Sequence, residues 1–89
     1  MGADLLAQRV AVEAKQLGRL IQTFRHQRGL NQTQLAALTG LRQEMISKIE
    51  TGHDGVRLGA VYDLLAALDL EMTLTPRTKS SSADIEDIF

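Results

Sequence analysis

Three glycines, at 29, 40 and 52, divide the middle of this chain into two short stretches whose apolar residues recur at helical spacing. Leu35, Ala36 and Leu38 supply an apolar face between Gly29 and Gly40, and Met45, Ile46 and Ile49 supply one between Gly40 and Gly52. The pattern predicts two short helices joined by a tight turn at Gly40, together covering residues 32–50, with the second at about 43–50. Asn31 suits the start of the first. Its side chain can accept from backbone N–H groups two or three residues on, and Gln34 can bond back. Thr51-Gly52 stops the second helix, and His53-Asp54-Gly55 reads as a loop.

Around this centre the chain reads as further helix, then changes period. Residues 3–28 contain no proline; Leu6 and Val10 are four apart, and Leu17, Leu20, Ile21 and Phe24 follow a buried helical stripe. Gly18 weakens the middle by up to ~1 kcal/mol relative to Ala, which leaves one long helix or two as alternatives. A fourth helix is expected over about 58–68, with Leu58, Val61, Leu65 and Leu68 inward. Then Leu70, Met72 and Leu74 alternate with Glu71, Thr73 and Thr75 as far as Pro76, which predicts a short strand over 70–76. A lone strand needs a partner, and nothing else here reads as one; the simplest partner is the same strand of a second copy. The fold class expected is therefore all-α, with five helices or four if the first is long, plus one short C-terminal β-strand pairing across a homodimer. Residues 1–14 form an N-terminal helical extension, 15–69 the helix-turn-helix unit, 70–76 the dimerisation strand and 77–89 an acidic tail. Residues 77–83 have linker composition, and 84–89, Asp-Ile-Glu-Asp-Ile-Phe, read either as a frayed terminus or as a short docking peptide.

Composition narrows the function. Eighty-nine residues allow one domain, and with 3% aromatics its core must be built from Leu, Ile, Val and Ala. Such a domain is marginal alone, a further hint of a second subunit. Cysteine is absent, and His26 and His53 lie at no metal-site spacing, so neither metal nor cofactor is expected. No apolar run approaches the ~18–20 residues of a membrane span, and Asp4 stands where an export signal wants lysines, which fits a cytoplasmic chain. Neither histidine has an evident nucleophile beside it and the chain offers little room for a water-excluding pocket, so it is not read as an enzyme. The net charge is −1, but it is unevenly spread. Residues 14–62 carry seven cations against three acids, whereas 63–89 carry two cations against six acids. This asymmetry points to two different partners met at two places.

With Ile46 and Ile49 inward, the opposite face of the 43–50 helix presents Arg42, Gln43, Glu44, Ser47 and Lys48. Gln43 can bond adenine bidentately, Arg42 or Lys48 can take guanine or phosphate, Glu44 can accept from cytosine, and Ser47 can serve a base or a phosphate. Gln32, at the start of the preceding helix, has its backbone N–H groups and side-chain amide available to a phosphate. On composition alone these residues are equally well ordinary solvated polar groups on two surface helices.

Residues 16–52, from Gln16-Leu17 through Gly29-Leu30-Asn31-Gln32 to Ile49-Glu50-Thr51-Gly52, closely resemble the helix-turn-helix of the phage repressor and Cro class, also called the Xre class. With Leu70-Glu71-Met72-Thr73-Leu74 after the fourth helix, the chain is most similar to HipB-type antitoxins over roughly residues 16–76. The resemblance implies a lambda-repressor-like domain in a homodimeric repressor. Its paired strands would hold two reading helices for successive major grooves of operator DNA. It implies a second partner as well, a HipA-type Ser/Thr kinase toxin, with repression of the shared operon; a stand-alone Xre-family regulator without a toxin partner is the alternative. Carried onto this sequence, DNA contacts fall on Gln32, Arg42, Gln43, Glu44, Ser47 and Lys48, and dimer contacts on Leu70, Met72 and Leu74. The resemblance also implies a structural ion pair between Arg25 and Glu50. One departure is plain: many members have Ser or Thr capping the reading helix, where this chain has Arg42.

Overall fold

A computed structural model describes residues 2–76, with side chains from residue 4 onward. It contains four helices: α1 (Gly2–Gln27), α2 (Gln32–Thr39), α3 (Gln43–Glu50) and α4 (Leu58–Ala67). Of the two arrangements open from the sequence, the one with a long first helix is present, since α1 runs unbroken through Gly18. That glycine sits where α1 crosses the end of α3. A Cβ there would collide with the carbonyl oxygen of Ile49 and lie 2.7 Å from that of Glu50. The backbones thus approach to a distance that no other residue permits, and the lower helix propensity of glycine is the cost.

The start of α2 is a complete capping box. The Gln34 backbone N–H donates to Asn31 Oδ1 at 2.7 Å, and the Asn31 N–H donates to Gln34 Oε1 at 2.8 Å. Gly40 closes α2 in the left-handed region (φ 75°) and donates to the Ala36 carbonyl at 2.9 Å. This conformation costs a glycine little and reverses the chain within two residues. Helix α3 then packs on both α1 and α2, while α4 packs on α2.

Ile21, Leu35, Ile46, Ile49, Ala60, Val61, Leu64 and Leu68 form the buried core, with Leu17, Phe24, Ala36 and Leu70 among the half-buried residues against it. Three residues expected inside are not: Leu20, Leu38 and Leu58 are 55%, 64% and 56% exposed. The stripe on α4 is centred on Val61 and Leu64, which places Leu58 roughly 100° round the helix. The buried face of α1 is likewise turned toward Gly18 and Arg25, away from Leu20. Residues 4–13 of α1 are all exposed, Leu6 and Val10 included.

The strand expected at 70–76 is not formed in the single chain, and no described residue lies in a strand. Leu70 packs against the core, but Met72 is 42% and Leu74 89% exposed. The reason is physical: a strand needs a ladder partner, and the described residues of one copy supply none. The tail at 77–89 lies outside the described residues.

Candidate nucleic-acid interface

Below the exposed face of α3 lies a buried charge pair that joins α1 to α3. Arg25 donates through Nε to Glu50 Oε2 at 2.7 Å and through Nη2 to Oε1 at 3.0 Å, while its Nη1 donates to the Leu30 carbonyl at 2.9 Å. The side chains are 7% and 1% exposed. A bidentate geometry, with a further donor used on the Leu30 carbonyl, is the condition under which a buried pair repays its desolvation. Among the described residues no buried side-chain polar atom lacks a partner.

The network continues outward to the surface. Glu50 Oε1 also accepts from Gln32 Nε2 at 3.1 Å, so the first residue of α2 is tied to the last of α3. Gln32 Oε1 in turn accepts a long bond from Gln43 Nε2 at 3.5 Å, and Thr33 Oγ1 donates to Gln43 Oε1 at 3.3 Å. Gln43 is exposed at the start of α3, with its amide held on both sides by α2. Each amide end keeps one hydrogen-bonding position free, which is what bidentate pairing with an adenine edge requires. The Gln32 side chain is thus tied internally to Glu50, with a long contact to Gln43. The part of Thr33 is not visible in the sequence because it depends on how α2 crosses α3.

Arg42, Glu44 and Lys48 are exposed beside Gln43, and Ser47 is half-buried among them. Arg42 sits at the N-cap of α3 in extended conformation with no side-chain capping bond. An open cleft of about 480 Å³ lies alongside, lined by Leu41, Arg42, Glu44, Met45, Lys48 and, from the start of α4, Arg57. By sequence Arg57 is only one of the seven cations of residues 14–62. Folding brings it beside two of the cations on α3. The site is thus a convex polar helix face flanked by cations, with no group of three or more metal-ligating side chains among the described residues. Such a surface can meet phosphates and base edges.

Residues 16–77 match the family model described as helix-turn-helix domain. The HipB antitoxin of Escherichia coli strain K12 is 32% identical over 71 residues, which cover 80% of this chain and 81% of that protein. The uncharacterized HTH-type transcriptional regulator y4dL of Sinorhizobium fredii is 34% identical over 68 residues, or 76% of this chain; the match spans only about a third (35%) of that relative's length. Among solved structures, a chain of the HipA–HipB–O2–O3 complex superposes with a TM-score of 0.67 at 32% identity, covering 73% of this chain and 92% of that one.

Proposed function

The chain belongs to the helix-turn-helix family of transcriptional regulators and is related to the HipB antitoxin, and from this premise we propose that it is a sequence-specific operator-binding repressor and the antitoxin of a HipA-type kinase. In this reading α3 lies in the major groove. Gln43 reads adenine, Arg42 and Lys48 meet guanine or phosphate, Ser47 a base or phosphate, and Glu44 a cytosine amine. Two copies pair through 70–76, which sets the half-sites about one helical turn (~34–36 Å) apart. The DNA-binding domain is 15–69, with residues 1–14 as a helical extension of it. The protein would act in the cytoplasm, where operator and kinase are both met. What supports the reading most is the bond chain Arg25–Glu50–Gln32–Gln43, which fixes an exposed amide at the tip of the reading helix.

The test is a footprint on the chain's own promoter together with co-purification of the product of the adjacent reading frame. A protected palindrome and a captured kinase are expected. Protection without a kinase would move the reading to a stand-alone Xre-family regulator. No protection at low salt would refute operator binding.

A further inference from the structure

The cleft at the starts of α3 and α4 holds more than a DNA backbone would use. Arg42, Lys48 and Arg57 line it against Glu44, and among the described residues none of these is ion-paired. Leu41 and Met45, both half-buried, give it an apolar lining that phosphates leave untouched. One segment of this chain matches both properties. Residues 84–89, Asp-Ile-Glu-Asp-Ile-Phe, interleave three acids with three large apolar side chains. The tether is residues 77–83: from Pro76 to Asp84 the chain spans up to about 26–29 Å, enough to cross either of the two shorter dimensions of the described residues, which measure 46 × 25 × 18 Å.

We propose that residues 84–89 dock in this cleft, acids on Arg42, Lys48 and Arg57 and apolar side chains on Leu41 and Met45, and so compete with DNA for the reading head. The tail acts on its own subunit or on the second copy. A tethered segment is present at roughly millimolar effective concentration. An intrinsic dissociation constant of ~0.1 mM then fills the cleft about nine-tenths of the time and weakens DNA binding about tenfold. Random DNA, held by phosphate contacts alone, drops out first, and a partner protein that takes the tail frees the head. The competition rests on the DNA-reading function proposed above, whereas the docking does not.

The experiment uses the full chain and two variants. One combines Asp84→Asn, Glu86→Gln and Asp87→Asn; the other combines Ile85→Ser, Ile88→Ser and Phe89→Ser. ¹H–¹⁵N spectra without DNA read the docking itself. Both variants are expected to shift the amides of residues 40–48 and 57 and to leave those of α1 in place. Fluorescence anisotropy with a random-sequence duplex at low salt is expected to show both binding roughly tenfold more tightly than the parent. Unchanged amides in both variants would overturn the docking. Tighter binding by the acid variant alone would overturn it too, since that is what simple repulsion between a charged tail and DNA produces. Should parent and variants all fail to bind DNA, the DNA-reading function falls while the spectra still decide the docking.

Discussion

At the scale of single residues, the molecule depends on Glu50. Its carboxylate collects two donors from Arg25 and one from Gln32, in surroundings that leave it 1% exposed. Glu50→Ala strands a buried guanidinium, and a loss of about 3–5 kcal/mol is expected in chemical denaturation, as when one half of a buried pair is removed. A denaturation midpoint equal to the parent's would show that the pair contributes nothing. At the outer end of the same chain the effect moves from stability to recognition. Gln43→Ala removes a surface amide, so folding should change little. Operator binding should weaken by about 1–3 kcal/mol, with relaxed preference at one base per half-site. The control is random DNA: binding there stays constant if Gln43 reads a base and falls equally if it only meets phosphate. Pairing of Arg25 with Glu50 was expected from a resemblance, not from spacing, since a separation of 25 positions gives no local clue. The Gln32 and Thr33 contacts to Gln43 were not legible at all, because they exist only once α2 and α3 have crossed.

At the scale of elements, the helices and their stops were largely written in the sequence. Asn31 and Gln34 announce the capping box, and Gly40 announces the turn, because capping and left-handed backbone are local demands. Gly18 shows where local reading ends. By propensity it is a weak point in a helix; in the fold it is the contact at which α1 meets the α3 carbonyls. Two helix ends depart from the favoured chemistry, and each makes a prediction. Asp69 holds φ 58° just past α4, where glycine is at ease. Asp69→Gly should raise stability by a few tenths to about 1 kcal/mol, and a lowered melting temperature would contradict this. Arg42 leaves the first N–H groups of α3 without a side-chain acceptor. Arg42→Ser should stabilise the fold by about 1 kcal/mol through a restored cap. It should also weaken operator binding and reduce the salt slope by about one per half-site, through a lost phosphate contact. A gain in stability with an unchanged salt slope would remove Arg42 from the DNA contacts.

At the scale of the whole molecule, the question is what completes a fold with eight buried apolar residues among those described and a run after α4 that ends in exposed Met72 and Leu74. The alternation from Leu70 to Leu74 was legible, but its partner was not, since a period-2 pattern says only that one face is apolar and not what covers it. The single chain divides the run into two roles. Leu70 belongs to the core of its own subunit, while Met72 and Leu74 remain uncovered. Deleting 70–76 would therefore damage the fold as well as any pairing, and a substitution separates the two. Met72→Glu with Leu74→Glu places like charges opposite one another in a two-fold strand pair. It leaves Leu70 in place. Thermal unfolding of the domain at low concentration should stay close to the parent's, whereas sedimentation should show a monomer where the parent is a dimer. Operator affinity should fall roughly 10²-fold or more, because each half-site is then bound without the other. A dimer that persists with both glutamates would place the contact elsewhere, and the exposed apolar residues of the N-terminal half of α1, Leu5, Leu6, Val10 and Val12, would be the next to substitute.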